Sequence, residues 1–486
     1  MKSIDFVYPL EKNFEKIFSL ESYGEEPDQL RIIIPTIIFP EEPFDLKIVV
    51  VDINGNPSFE CDEILSFEEN IFEERIPDIK FQKGKPSIIW IKNVKCKKEG
   101  IFRIPLKFNG KTFFSNPFIC SENYKYKIYW GDPHVHTVLS DCHPDTCRSS
   151  FFAYISGKYL TFLDWISITD HVSNGRGTLG KWREGLYMSE FFNEPLKFIT
   201  IPGYEASFKS GSGGDFNIYF SKFPDYFVED YENGNIKSVC EKLIQKANQQ
   251  NFEFFVVPHH TSRAQKHGEL SENIYPGREL MPLIEIYSKW GSSEYHENPE
   301  SLLNPHNGPS YVFDFLKKGY ILGFIAGSDT HSTIQLGKEN SKHLIYPCGF
   351  TAVFTDILER GNIFQAMKKR KTYATSKERI FIDFQINNIP QGEILYLKEN
   401  IPREIKFTAA SQTDIKSIEI IRNCKVILKM DNKEWICKGK FIDDEDINNI
   451  YLETEKTGKF IFYYLRLRTY SNACGWSSPV FILLKY

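Results

Sequence analysis

Between residues 128 and 356 the chain carries seven short apolar runs, and six of them close on an acid or a histidine. "IYWGDPHVH" ends in His134 and His136, "WISITDH" in Asp170 and His171, and "FITIPGYE" in Glu205. "FFVVPHH" ends in His259 and His260, "GFIAGSDTH" in Asp329 and His331, and "CGFTAVFTD" in Asp356, while "LIEIYS" carries Glu285 within it. Buried carboxylates and imidazoles are costly unless they are paired, hydrogen-bonded or bound to metal. One histidine at one strand end is ordinary packing. The same habit at six ends asks for a common cause, and a parallel β/α barrel supplies one, because it gathers the C-terminal ends of its strands around a single mouth. Residues as far apart as His134 and His331 then meet.

The barrel reading is confined to the middle of the chain. Up to about residue 125, short apolar runs such as "LRIIIPTIIF" and "PSIIWIKNV" alternate with turn signals, among them "NGN" at 54–56 and "NGK" at 109–111. Asn and Gly accept the positive φ that tight hairpins need. This predicts an N-terminal β-sandwich over 1–125, with no long amphipathic helix. From 126 to 380, apolar runs alternate with segments of three- and four-residue apolar spacing, including "SSFFAYISGKYLTFL", "KWREGLYMSEFF", "NIKSVCEKLIQKANQQ" and "PSYVFDFLKKG", which is the rhythm of β/α units. "NIFQAMKKR" reads as a closing helix with Tyr373 as its packing anchor. From 381 to 486 the strand-and-turn pattern returns, predicting a C-terminal sandwich of immunoglobulin-like size. "ENYKYK" and "TSKER" mark the expected seams.

The candidate ligands are imidazoles and carboxylates with no obligatory thiolate, which suits zinc, manganese or iron and disfavours an all-oxygen calcium site. They outnumber the needs of one tetrahedral ion, so two or three divalent ions are expected, with Glu205 placed to bridge two of them. Cys142 and Cys147 sit beside His143, where thiolate ligands are conceivable, but ten scattered cysteines do not make a disulfide scaffold, and the pair reads better as reduced thiols. The net charge of −5 gives no reason to expect nucleic acid or an anionic membrane as partner. "KNVKCKKEG" and "MKKRK" read as solvated faces. With no secretory apolar segment at the start and no run near ~20 apolar residues, a cytoplasmic compartment is expected.

The motifs "HVHTVLSD", "ITDH", "PGYE", "PHH" and "GSDTH" resemble those of the PHP (polymerase and histidinol phosphatase) superfamily in order and spacing. "GDPHVHT", "EIYSKWGSSE", "GFIAGSDTHST", "KRKTYATSKERI" and "YYLRLRTYSNACGWSSP" resemble a branch of unknown function in which a PHP-like barrel sits between β-rich segments. The resemblance covers residues 128–380 and extends through the C-terminal segment. It implies a distorted seven-stranded, TIM-like β/α barrel. It further implies a first ion on His134, His136, Glu205 and Asp329, a second bridged by Glu205 to His259 or His260, and a third on Asp141, His171 and His331. One departure stands out. The family's further histidine after the bridging glutamate is absent from "SGGDFNIYF", where Asp215 or Asn217 stands instead. His143 and Asp145, just past the first motif, read as loop residues.

A metal-dependent hydrolase follows, with phosphoesters favoured because metal ions hold the charge that their transition state spreads over oxygen, and with a metal-activated water as nucleophile. The expected substrate is a small phosphorylated metabolite or nucleotide. Asp329 and His331 are the expected catalytic pair, one binding metal while its neighbour orients or protonates, and Asp170 is placed to fix the tautomer of His171. Arg263, Lys209 and Arg176 are the substrate-binding candidates, with Lys266 and Lys289 behind them, and Glu294 is either a substrate contact or a structural carboxylate. Two other readings stand beside this one: a metal hydrolase of an amide or sugar-linked ester, and a non-catalytic glycan- or partner-binding protein with the barrel as scaffold. The sandwiches are candidate oligomer contacts.

Overall fold

The strand Phe44–Val51, "FDLKIVVV", alternates so that Phe44, Leu46, Ile48 and Val50 enter one apolar core while Val49 and Val51 enter another. It therefore lies at the centre of an antiparallel sheet covered on both faces, in the order Asp5–Val7, Ile88–Val94, Phe44–Val51, Gln29–Ile33. The first core is closed by a second layer that holds Ile37–Ile38, Phe118–Cys120 and Gly100–Phe102 together with the hairpin Pro105–Phe108/Lys111–Phe114. That hairpin turns on Asn109 and Gly110, both at positive φ, as "NGK" requires. The computed structural model describes residues 3–67, 71–143, 145–172, 177–208, 214–225, 234–264, 274–305, 308–338 and 344–485.

One N-terminal element departs from the expected all-strand pattern. Lys12–Glu21 is a helix, and Phe14 and Phe18 on its apolar side pack against Phe151, Phe152, Tyr159 and Phe192. Three apolar residues, Phe14, Ile17 and Phe18, suffice for one face of a three-turn helix once a neighbouring surface covers them.

The middle segment contains the expected helices: Ser150–Tyr159, Leu179–Phe192, Ile236–Gln250, Val312–Lys317 and Arg360–Lys368. Its strands, however, do not form a β/α barrel. They fall into separate sheets among the described residues. Ile199–Thr200, Trp165–Ile168 and Lys127–Val135 are parallel neighbours, but Gly349–Thr355 then adds antiparallel to Lys127–Val135. Gly203–Ser207, Asp215–Phe220 and Phe254–Pro258 form a wholly antiparallel sheet, and Leu283–Ser288 pairs in parallel with Gly323–Ala326 in a third. The expected closed, TIM-like barrel is thus overturned, and the chain is mostly β. The reason lies in the connections. The link between Gly203–Ser207 and Asp215–Phe220 is seven residues long, whereas a crossover to a parallel strand needs about a dozen.

The C-terminal strands are continuous with one of these sheets. Thr372–Ser376 pairs with Cys474–Ser477, so the sheet begun by Lys127–Val135 runs on through Gly458–Thr469, Ile415–Arg422 and Lys425–Asp431. A second layer, Ile389–Pro390, Phe381–Ile386, Arg403–Ala410 and Ile436–Asp443, lies beside it. Tyr373 is fully buried, edge-on to Trp130 with ring centres 5.6 Å apart. Gly131 allows Trp165 to pack flat on the backbone: a Cβ there would lie 2.1 Å from the indole. No described helix is long and apolar enough to cross a membrane.

Candidate metal centre

The end of Lys127–Val135 presents His134 and His136, both fully buried. The turn following Gly323–Ala326 is stitched onto it. The Asp329 N–H donates to the His134 carbonyl (2.8 Å), the His136 N–H to the Thr330 carbonyl (3.2 Å), and the Ser328 hydroxyl to the His134 carbonyl (3.0 Å). Asp132 clamps both pieces, accepting from the N–H groups of Ser328 (2.9 Å) and His134 (3.1 Å). Glycine at 327 is what permits this approach, because a Cβ would lie 2.7 Å from that of His134 and 3.1 Å from Glu285 Oε2. Asp329 itself is left-handed, at φ 51°, a conformation aspartate accepts more readily than most residues.

Four ligand atoms meet here. His134 Nε2 and His136 Nε2 are 3.2 Å apart. His134 Nε2 lies 3.3 Å from Glu205 Oε2 and 3.4 Å from Asp329 Oδ1. His136 Nε2 lies 3.2 Å and 3.1 Å from the same two oxygens. A tetrahedral ion with ligands at about 2.0–2.1 Å has ligand–ligand edges of about 3.3 Å. The five distances bracket that value; His134, His136 and Asp329 form one ligand group, and Glu205 joins His134 and His259 in the next.

The other ring nitrogens have partners of their own. His134 Nδ1 faces Glu285 Oε2 at 3.1 Å, and His136 Nδ1 lies 2.9 Å from Ser140 Oγ, whose own proton goes to Asp170 Oδ1 at 2.8 Å. Each Nδ1 carries the proton that its acceptor requires. In neutral imidazoles, the two Nε2 lone pairs then face the Asp329 oxygen on one side and a Glu205 oxygen within 3.3 Å, and a divalent cation fits that donor set. The Glu285–His134 contact fixes the ligand's tautomer. Glu285→Gln is expected to lower metal affinity by about 10–100-fold, read by competition with a chelator; unchanged affinity would show that Glu285 only fills space.

Without an ion, protons hold the charges apart. Burial pushes His134 down, but Asp329 and Glu285 outweigh it and raise it well above the usual imidazole range. Burial likewise opposes, and hydrogen bonds to Asp329 and Glu205 carry, the rise of His136 to about 10. Burial would raise Glu205 and Asp329, yet both stay well below the usual carboxylate range, Glu205 beside His171 and His259, Asp329 beside His134 and His136. An arriving ion must displace the imidazole protons. Because these pKa values are raised, proton competition weakens only as pH climbs toward them. Metal affinity is therefore expected to rise with pH through neutrality, by about tenfold per unit for each proton displaced. Titrations across that range test this, and a flat profile would contradict it.

Glu205 faces two ways. Its Oε2 belongs to the nest, while Oε1 lies 3.3 Å from His259 Nε2 and 3.4 Å from His171 Nδ1. The short bridge between His171 and Glu205 aligns them: the Glu205 N–H donates to the Asp170 carbonyl and the Val172 N–H to the Glu205 carbonyl, both at 3.1 Å. Asp215, His259 and His260 form a second ligand group. Burial and the neighbouring His260 keep His259 below the ordinary range, as a neutral ligand must be. His260 is raised against its burial by Asp215 Oδ2 at 3.0 Å and Asp329 Oδ2 at 3.5 Å. Where the family histidine is missing, Asp215 joins His259 and His260, and Asn217, fully buried, pairs opposite Glu205.

The third group differs from the expected one. Asp141 points outward to an ion pair with Lys181, and Cys142 joins His136, His171 and His331 instead. The turn Val138–Ser140 ends with Asp141 left-handed at φ 53°, and the next side chain enters the site. Hydrogen bonding from Cys147, joined by His171 and His331, outweighs burial and holds the Cys142 thiol far below its ordinary range. Exposed His143 stands edge-on to His331 at 4.3 Å, and Asp145 is exposed.

Other expectations resolve individually. Asp170 does not orient His171 through its ring; its oxygens accept from Thr137 N–H (2.6 Å), Thr137 Oγ1 (2.6 Å) and Ser140 Oγ, so it supports His136 through Ser140. Arg263 lies over the Trp290 ring at 4.1 Å, and that ring is 5.8 Å from His260 and 6.3 Å from His331. Lys289 is buried and donates to backbone carbonyls of Ile334 and Gly337. Glu294 is a structural carboxylate, bonded to Tyr464, Arg466 and Trp476. Asp356 is exposed at the far end of a strand antiparallel to Lys127–Val135, away from the site. Arg176, Lys209 and Lys266 lie outside the described residues. Sequence reasoning noticed Glu285 but gave it no role, set Cys142 aside as a reduced thiol, and missed Ser140; the crowding of "HVHTVLSDCH" was the available signal.

No family model matches the chain. An uncharacterized protein of Chlamydia pneumoniae is 27% identical over 500 residues, which span 97% of this chain and 77% of that one. A second, from Chlamydia trachomatis, is 26% identical over 499 residues, 96% of this chain and 76% of the other. Among solved structures, fibronectin(III)-like modules of Clostridium thermocellum CbhA align at a TM-score of 0.15 and 11% identity, over 31% of this chain and 72% of that one. A Bacteroides uniformis beta-glucuronidase aligns at 0.19 and 8% identity, over 96% and 62%. Scores this low carry no argument about fold or activity.

Proposed function

We propose that the chain is a metal-dependent hydrolase and that phosphate esters are its substrate class. The observation that carries this reading is the nest of His134, His136, Glu205 and Asp329, with the second oxygen of Glu205 turned toward His259. His134, His136, Glu205 and Asp329 would hold one ion, and Glu205, His259 and Asp215 a second. Bound there, divalent ions supply water of lowered pKa and a sink for charge on the displaced oxygen. Zinc, manganese and iron all suit these donors.

The protein's own groups complete the task. Asp329 places one oxygen in the nest and the other beside His260, tying the two ligand groups into one rigid unit. Arg263, held flat on Trp290 beside His260 and His331, is the cation placed to grip an anionic substrate. Asp170 is not assigned a proton-transfer role, because Thr137 and Ser140 occupy its oxygens. The resemblance to the PHP superfamily supports this reading through the order of the ligands, not through a barrel.

The test is phosphate release from a panel of phosphomonoesters and phosphodiesters by protein loaded with each of the three metals. Release that Asp329→Ala abolishes and Arg263→Ala weakens mainly through KM is expected. Hydrolysis confined to amides or carboxylic esters would overturn the substrate class, and no hydrolysis of any bond by metal-loaded protein would sink the enzyme reading.

A further inference from the structure

We propose that Cys142, His171 and His331 form a third metal subsite, one that binds its ion through a thiolate and therefore takes a zinc-class ion and not manganese or magnesium. This rests on the metal-centre reading above and extends it to the kind of ion held.

The ligand atoms of His136, Cys142, His171 and His331 lie within 4.8 Å of one another. His136 is already committed, with Nε2 in the first nest and Nδ1 on Ser140. Its ring is near-parallel to both other imidazoles, 4.7 Å from His171 at 22° and 4.4 Å from His331 at 26°. That leaves three protein ligands around a separate point. His331 Nδ1 donates to the Asp329 carbonyl at 3.1 Å, which leaves Nε2 as the lone pair for a ligand bond. Among the described residues, His171 Nδ1 is buried without a hydrogen-bond partner, 3.4 Å from Glu205 Oε1.

The loop is built to present sulfur. The Asp141–Lys181 ion pair holds the preceding side chain outward, Thr146 Oγ1 donates to the His331 carbonyl at 2.7 Å, and Cys147 Sγ lies 3.2 Å from the same oxygen. The segment bearing Cys142 is thereby fastened to the segment bearing His331. Thiolate ligands select zinc, iron or cobalt over the hard cations. Three protein ligands leave one position of a tetrahedral ion open, the arrangement of catalytic rather than purely structural zinc. The first two subsites, made of imidazole and carboxylate, carry no such preference, so the protein should hold a zinc-class ion at Cys142 even when manganese fills the others.

Cobalt(II) reports on sulfur directly, through an intense near-ultraviolet thiolate-to-metal charge-transfer band. Full-length protein loaded with cobalt should show it. Cys142→Ser and Cys142→His should each abolish it while visible cobalt bands from the other subsites persist, and Cys147→Ser should retain it. X-ray absorption of the zinc-loaded wild type should show one sulfur at about 2.3 Å, which covers the case in which a variant fails to fold. Cobalt bound without the band, or a band that survives Cys142→Ser, overturns the thiolate subsite and leaves the hydrolase reading standing. Wild-type protein that binds no cobalt or zinc overturns both.

Discussion

Glu205→Ala is expected to lose two ions together, whereas Cys142→Ser should lose one. Glu205, like Asp329, turns its two oxygens to different ligand groups: Oε2 lies 3.2–3.3 Å from His136 and His134, and Oε1 lies 3.3 Å from His259. Alanine removes a donor from each group and leaves the imidazoles facing one another with less negative charge among them. Loss of a partner that merely supports a ligand costs about 10–100-fold in affinity, so loss of a bridging ligand should exceed a hundredfold at both subsites. Elemental analysis after dialysis against a weak chelator reads the result. Loss of a single ion would mean that Glu205 does not bridge. Glu205→Gln separates charge from shape, since an amide keeps one oxygen but carries no charge.

The largest effect on stability is expected at a residue that holds no metal. Glu294 is fully buried and accepts from Arg466 Nη1 and Trp476 Nε1, each at 2.8 Å, and from the Tyr464 hydroxyl. These donors all come from the C-terminal strands, so one carboxylate ties the middle of the chain to the sheet that continues beyond it. Glu294→Ala leaves Tyr464 and Trp476 without this acceptor and deprives Arg466 of one of its two carboxylates, the other being Glu419 at 2.6 Å. Breaking a buried ion pair from one side costs about 3–5 kcal/mol; the partner that remains at Arg466 places Glu294→Ala near the lower end, with the two other lost bonds adding to it. Denaturant unfolding of the metal-free protein measures this. A variant of unchanged stability that lost substrate affinity instead would restore Glu294 as a substrate contact.

Much of the site was legible before any coordinates. His134, His136, Glu205, His259, Asp329 and His331 were recognisable because each closes an apolar run, and all are buried together. The alternation of "FDLKIVVV" and the "NGK" turn likewise announce strand and hairpin from local chemistry alone. What failed was the step from strand ends to a barrel. Periodicity identifies a strand but not its direction, and Gly349–Thr355 and Asp215–Phe220 run antiparallel to the neighbours the barrel needed. Asp356 fell with that assumption, because reversing a strand moves its end to the opposite side of the sheet.

The amino-acid order by itself determined which ligand types are available and where each leaves its strand, since both are properties of a residue and its immediate neighbours. Only the tertiary structure decided that Cys142 and not Asp141 enters the site, that Asp170 serves His136 by way of Ser140, and that Glu294 spends its oxygens on Tyr464, Arg466 and Trp476. A single left-handed residue at Asp141 reverses which of two adjacent side chains faces inward. The other two assignments depend on partners 30 to 182 positions away, brought into contact by packing that no local pattern records.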